Sequence, residues 1–416
     1  VSDDTARGRD GAYRRRDVLR LAGLAGLGAA GVTATGLGAA GCGTGGSLPP
    51  PQVPAGGPVA GFWARERRHG HVNFANWPYY IDAGHRTLRD FTAVTGITVT
   101  YAEVITDDAS WFAKVSPILR AGESIGYDVM VITDGFQFSN LVTLGELTPL
   151  DQSLMTHFYA YASARFQHRT FDPGNTYSMP WASGATGIAW NPAYIKTPVT
   201  SISELWNPAY RGRVGMLADL ADLGNFGMLK LGIQPETSTP ADWRAAAKVL
   251  TAQRDAGLVR AYYQQSYLDA LASGEIWISM AWSGDILQQN LSSGTGLQFV
   301  IPAEGGSIWT DNMVIPRHAQ NPVDAMMLMD WYYRPPVAAV LTESITYLPA
   351  IPGVQPIISY DAAKATGMSR QRLSKVATSD LIWLSGAQYG RLHSYPDVSG
   401  KLQHAYLTIF EPVTAR

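Results

Sequence analysis

The amino-acid sequence predicts an α/β protein of two lobes with a ligand cleft between them. Short apolar runs of strand length alternate with stretches of helical periodicity, the rhythm of a largely parallel sheet covered by helices. That rhythm runs twice, over residues 71–133 and again over residues 213–282. At 416 residues and 46% apolar composition the chain is long enough for two hydrophobic cores rather than one.

The first 42 residues read as processing information rather than fold. Tyr13, Arg14, Arg15, Arg16 and Asp17 precede a charge-free run over residues 21–41 made mostly of Gly, Ala and Leu. A basic segment before an apolar one has the layout of an export signal, because the positive end stays on the cytoplasmic side. The pair Arg15-Arg16 resembles a twin-arginine signal. Residues 37–42, LGAAGC, resemble the lipobox of bacterial lipoproteins, so lipidation is expected at Cys42. The alternative is an uncleaved membrane anchor, which the many glycines weaken. Cys42 is the only cysteine, which rules out a disulfide within the chain and a cysteine metal cluster. Residues 43–60, GTGGSLPPPQVPAGGPVA, offer almost nothing to bury and read as a tether, taken to extend to residue 70.

The folded part is expected from His71, where HVNFANW forms a first strand. Residues 84–95 read as a helix with Leu88 and Phe91 on one face, and ITVTYAEV (residues 97–104) alternates like a second strand. Helical AKVSPILRAG then precedes the strand YDVMVIT, residues 127–133. Residues 141–176 carry turns and short helices. YSMPWASGATGIAWN, residues 177–191, is a run of small residues between apolar strands, suited to carrying the chain between lobes. RVGMLAD restarts strand character, a long helix follows around WRAAAKVLTAQRDAGL, and the helix YLDALASG leads to the strand IWISMAW, residues 276–282. LQFVIPAEG then returns the chain through SIWTDNMVI, residues 307–315. The expected division is residues 71–180 and 306–350 in the first lobe, and residues 181–305 and 351–416 in the second.

In SIWTDNMVI the period of two puts Trp309 and Asp311 on one side of a strand, where something meets them. Trp77, Trp181 and Trp282 also stand at strand ends or crossings, and carboxylates recur near such aromatics at Asp219, Asp222, Asp285 and Asp311. Each tryptophan alone fits core packing as well as ligand contact. An aromatic face attracts a cation by roughly 0.5–2 kcal/mol and also packs on alkyl chain. A carboxylate adds a charge-assisted hydrogen bond to an ammonium. Together they suit a ligand with methylenes between positive nitrogens. Asp219 and Asp222, three apart, share a helix face and either receive an ammonium or cap the helix. For Asp285 a cap or turn role is the expected one.

Composition and motifs narrow the remaining classes. A net charge of −2 argues against nucleic acid as a partner. The sequence holds no phosphate-binding loop, no HExxH metalloprotease segment and no EF-hand loop. GESIG, residues 122–126, matches the GxSxG pattern around Ser124, but at a helix end leading into a strand, the reverse of a nucleophile elbow. An exported enzyme is therefore a weaker alternative, as is a structural adhesion lipoprotein. Tyr262-Tyr263 keeps a ferric-ion receptor open, since phenolates are hard oxygen ligands; a receptor for another organic cation is a further alternative. His157 and His168 read as surface or structural residues.

The ordered segments NFANWPYYI, YDVMVITDGF, YSMPWASGATGIAWN, GMLADLAD, MAWSGD, EGGSIWTDNMVIP and ESITYLPA span His71 to at least Pro349. This set resembles the periplasmic spermidine/putrescine-binding proteins, the substrate-binding components of polyamine ABC importers within the bacterial extracellular solute-binding proteins. The resemblance implies a two-lobed periplasmic-binding-protein-like fold in which an aromatic box surrounds the methylenes and acidic residues hold the amino groups. Trp77 and Tyr80 match its first aromatic pair, Trp282, Trp309 and Tyr347 its later aromatics, and Asp219 and Asp311 its carboxylates. Asp222 stands where the family can have glutamate, and Thr133 matches a hydroxyl-bearing serine. Gly135 or Phe136 lies where a binding tyrosine occurs, and the C-terminal contact falls in the segment of Gln388. The resemblance further implies a monomeric, lipid-anchored receptor on the extracytoplasmic face of the membrane, periplasmic where an outer membrane exists. It would close around a polyamine and deliver it to an ABC permease, with no catalysis, cofactor or metal of its own.

Overall fold

The computed structural model describes residues 58–415 apart from residues 168, 361–367 and 399. The expected export signal, the twin arginines, Cys42, the tether up to residue 57 and His168 lie outside the described residues. Strand β1 (His71–Asn76) pairs in parallel with β2 (Thr98–Glu103) on one side and β3 (Val129–Thr133) on the other. In β3 the side chains alternate between two apolar layers. Val129 and Val131 enter the large first core, while Met130 and Ile132 enter a smaller one with Trp111 and Phe138. That two-sided burial explains why the run is apolar throughout rather than alternating. The helix Arg86–Thr95 buries Thr87, Leu88 and Phe91 and stops at Gly96, whose φ of 76° favours glycine.

Residues 177–191 do not form two strands with a small-residue link. They form one unbroken strand, β4 (Ser178–Trp190), buried along its whole length. The second α/β unit follows: β5 (Val214–Leu217) pairs in parallel with β6 (Val259–Tyr263) and β7 (Ile278–Trp282). The helix Pro240–Asp255 covers it, started by a reciprocal capping box between Thr239 and Asp242. β8 (Gln298–Val300) pairs with β4, and β9 (Gly306–Val314) returns antiparallel to β4 from Ser178↔Val314 to Thr186↔Ser307. β10 (Leu392–His393) pairs with the start of β9.

β4 and β9 are the two strands shared by the lobes. The last four residues of β9 pair with β3 in the first lobe, and the last five residues of β4 pair with β7 in the second. The two large cores divide accordingly. One gathers Phe74, Phe91, Met313 and Tyr333; the other gathers Met216, Phe226, Trp243 and Met280. In the C-terminal segment Ile351, Val354, Ile358, Leu373, Val376 and Ile382 join the first core, and Val398, Tyr406, Phe410 and Val413 join the second. Among the described residues, no helix is long and apolar enough to cross a membrane.

Candidate functional site

The carboxyl ends of β1, β3, β5 and β7 all face one cleft, the position at which open α/β sheets hold ligands. A cavity of about 580 Å³ lies there, within the size range of small-molecule sites. Trp77, Tyr80, Thr133, Asp219, Asp222, Trp282, Trp309, Asp311 and Tyr347, nine of the residues singled out in the sequence, line it.

On β9, Trp309 and Asp311 do share a face. Asp311 is paired in register with Thr133 of β3, so the Thr133 hydroxyl donates to Asp311 Oδ1 at 2.7 Å. The Tyr80 hydroxyl donates to Oδ2 at 2.6 Å. Burial pushes the Asp311 carboxyl up to about 6 despite these two donors. The Trp309 ring lies against Gly184 of β4, where a Cβ would come within 2.1 Å of it. Its indole N–H donates to Thr186 Oγ1 at 3.2 Å. Tyr347 joins the two sides, with ring centroids 5.3 Å from Trp309 and 5.7 Å from Tyr80.

Asp285 does not cap its helix, contrary to expectation. It is buried in the first turn of Ser283–Ser293, where its carboxylate accepts from the Tyr347 hydroxyl at 2.6 Å and the Tyr267 hydroxyl at 3.0 Å. It therefore anchors the aromatic wall from behind. Asp219 caps Leu220–Lys230, accepting from Asp222 N–H at 2.8 Å, and also lines the cavity. Asp222, only 1% exposed, accepts through Oδ2 from Trp282 Nε1 and Thr186 Oγ1, each at 2.9 Å. Its Oδ1 is fully buried, and the Tyr395 hydroxyl lies beside the carboxylate. Burial and the neighbouring Asp219 charge push the Asp222 carboxyl up to about 7.

Several polar cavity residues escaped the sequence reading, among them Asp134, Asp108 and Tyr395. Asp134 follows β3 and accepts from Thr310 N–H at 2.7 Å; burial pushes its carboxyl up to about 7. In sequence, Asp134-Gly135 looks only like a turn. Asp108 opens the helix Asp108–Arg120 one residue after the capping Asp107, so it reads as helix-start chemistry. Tyr395 comes from a segment without periodicity. Gln388 is not a cavity residue; it completes a capping box with Ser385. Trp181 also lies outside the cavity lining, buried in the first core 4.5 Å, centroid to centroid, from Tyr332.

Six aspartates line the cavity, and among the described lining residues none is lysine or arginine. Such a concave, acid-walled site attracts cations. The other candidates fall elsewhere. Tyr262 and Tyr263 pack against the second core on β6, Ser124 accepts a local bond from Gly126 N–H at 3.1 Å, and His157 pairs with Asp330 at 2.6 Å. Among the described residues no group of three His, Cys, Asp or Glu side chains is placed to hold a metal ion.

Residues 87–368 match the family model of the bacterial extracellular solute-binding protein. The spermidine/putrescine-binding periplasmic protein of Salmonella typhimurium is 30% identical over 276 residues, covering 66% of this chain and 76% of that relative. Two solved structures share the two-lobed architecture. The spermidine/putrescine ABC transporter substrate-binding protein of Streptococcus pneumoniae superposes with a TM-score of 0.69 at 20% identity, covering 82% of this chain and 98% of its own. The TpPotD lipoprotein of Treponema pallidum gives 0.68 at 19% identity, covering 83% and 100%. The chain belongs to the family of bacterial extracellular solute-binding proteins, a family of binding proteins rather than enzymes.

Proposed function

We propose that this chain captures a polyamine of the putrescine or spermidine class in its cleft and delivers it to the permease of its importer. The observation that carries the reading is the cavity wall itself, six aspartates with no lysine or arginine among its described residues, faced by tryptophans and tyrosines. In this reading Asp311 receives one ammonium, with Thr133 and Tyr80 holding the carboxylate in place. Asp222 and Asp219 receive another. Trp77, Tyr80, Trp282, Trp309 and Tyr347 wall the methylenes, which gain from apolar burial and from cation–π contact near the nitrogens. The name of the Salmonella relative supports the same ligand class. A ferric-ion site is disfavoured because Tyr262 and Tyr263 are not at the cavity.

The lobes in this reading are residues 71–180 with 306–382, and residues 181–305 with 398–415; closing them over the ligand would exclude water and strengthen each carboxylate contact. The receptor acts as a monomer held by lipid at Cys42. Replacing Cys42→Ser should then release it from the membrane fraction, and retention there would remove the lipid-anchor reading. Calorimetric titration of Ser47–Arg416, a compact unit of its own, against putrescine, spermidine, spermine and a neutral osmolyte tests the ligand class. Saturable heat confined to amines is expected; folded protein that binds none of them rejects the assignment.

A further inference from the structure

The second lobe sends one aromatic ring across the cleft. Tyr395 follows β10, and its segment is fixed to the second lobe at several points. Ser394 N–H donates to Glu236 Oε1 at 2.8 Å, Asn225 Nδ2 donates to Ser394 O at 3.3 Å, and Val398 is buried in the second core. The Tyr395 ring nevertheless packs against the first core. It lies over Gly135, the residue after Asp134 at the end of β3, where a Cβ would stand 3.2 Å from Tyr395 Cδ2. Gly135 has φ of 111°, a conformation that L side chains rarely adopt, so backbone and contact both call for glycine there. Phe136 extends the meeting: its ring centroid is 4.9 Å from that of Tyr406 in the second lobe. The Tyr395 hydroxyl end lies beside Asp222, with Asp219 and Asp134 close by. One side chain thus touches the first lobe, closes the cavity at its Asp222 end and lines the space a ligand would occupy.

We propose that Tyr395, seated on Gly135, is the interlobe residue that retains the ligand and fixes the length of the cavity at its Asp222 end. This rests on the polyamine reading for its ligand but not for its mechanics. Phe136 itself lines the cavity, and Tyr395 from the other lobe packs over Gly135 beside it. Glycine at 135 leaves the room, and the C-terminal segment fills it.

The test uses Ser47–Arg416, which lacks cysteine, spin-labelled at Val94→Cys and Leu231→Cys. These are exposed sites beside helices of the first and second lobes. Pulsed dipolar spectroscopy of the ligand-free protein should show a short interlobe distance that Tyr395→Ala shifts towards a longer one and Tyr395→Phe preserves. With amine bound, Tyr395→Ala should raise the dissociation rate about tenfold, the loss expected for one packed interface aromatic. It should also shift relative affinity from putrescine towards spermidine, because the end wall is gone. Gly135→Ala should raise the dissociation rate in the parent but much less in the Tyr395→Ala background, since the clash needs the ring. Unchanged interlobe distances in Tyr395→Ala overturn the mechanical claim whether or not any amine binds. Amine binding with an unchanged off-rate and unchanged length preference overturns the retaining and length-setting role while leaving the polyamine reading in place. Absence of amine binding in the parent defeats the polyamine reading and the length-setting claim together, and leaves the distances to decide the contact.

Discussion

Asp311 is held by two short bonds, one from Tyr80 and one from Thr133, inside a wall that raises its carboxyl to about 6. Its charge is thus unfavourable in the ligand-free protein and useful once an ammonium arrives. Asp311→Asn removes the charge while keeping the shape, so binding should suffer and folding should not. Losing a charged hydrogen-bond partner in a buried site is worth about 2–3 kcal/mol, or roughly 30- to 150-fold in affinity. The melting temperature of the ligand-free variant at about pH 8 should equal or exceed that of the parent, because a carboxylate ionised above its preferred range no longer opposes folding. Calorimetry showing parental affinity in the folded variant would remove Asp311 from the site. This residue was legible from sequence because a strand repeats every two positions, so Trp309 and Asp311 had to share a face. Asp285 was misread because a carboxylate after a strand and before a helix looks like a cap. Only the fold shows Tyr267 and Tyr347 meeting it. Asp134 and Asp108 escaped for a related reason: turn and helix-start positions explain them without any site.

The elements that make the cleft are the two shared strands, and β4 owes its composition to β9. Small residues over 182–187 were legible as a crossing between lobes, but their continuity as one strand was not, because small side chains carry little strand preference of their own. The smallness of Gly184 answers to the ring of Trp309, which fills the place a side chain there would take, and that of Gly187 to Val300 and Phe299. Gly184→Ala must displace that ring or bend β4, and overpacking of this kind destabilises by about 1–3 kcal/mol. Amine affinity should fall with it, since Trp309 and the Thr186–Asp222–Trp282 hydrogen bonds share the same stretch of strand. Gly353→Ala serves as the control, since no atom lies within 4 Å of the added Cβ. Chemical denaturation that finds the two variants equally stable would refute the close-packing argument. The C-terminal elements were the least legible. Their apolar positions serve two cores in turn, Ile351, Val354, Ile358, Leu373, Val376 and Ile382 the first, and Tyr406, Phe410 and Val413 of the final helix Gly400–Thr414 the second.

At the scale of the whole molecule, the cleft couples ligand, protons and stability. The carboxyls of Asp311, Asp134 and Asp222 have moved up from an ordinary value near 3.8 to about 6, about 7 and about 7. A raised folded-state value means that the ligand-free protein prefers these groups protonated. Their contribution to stability is full below the ordinary carboxylate range and is lost as pH rises through the folded values. The amine behaves otherwise, keeping its charge throughout, as a lysine ammonium does up to about pH 10. Binding should therefore favour the ionised carboxylates, expel protons, and weaken as the solution is acidified from about pH 8 to about pH 5. A tenfold or larger rise in Kd across that interval corresponds to about one carboxyl being deprotonated at a cost of about 1.4 kcal/mol. Calorimetry at about pH 6.5 in two buffers of different ionisation enthalpy should report net proton release on binding putrescine or spermidine, and Asp311→Asn should reduce it. The ligand-free melting temperature of the parent, taken relative to that of Asp311→Asn, should fall between about pH 4 and about pH 7, with saturating amine recovering it most at the alkaline end. A Kd that stays flat with pH, together with binding heats independent of buffer, would show that the acid wall is already ionised before the ligand arrives and that closure, rather than charge, selects the amine.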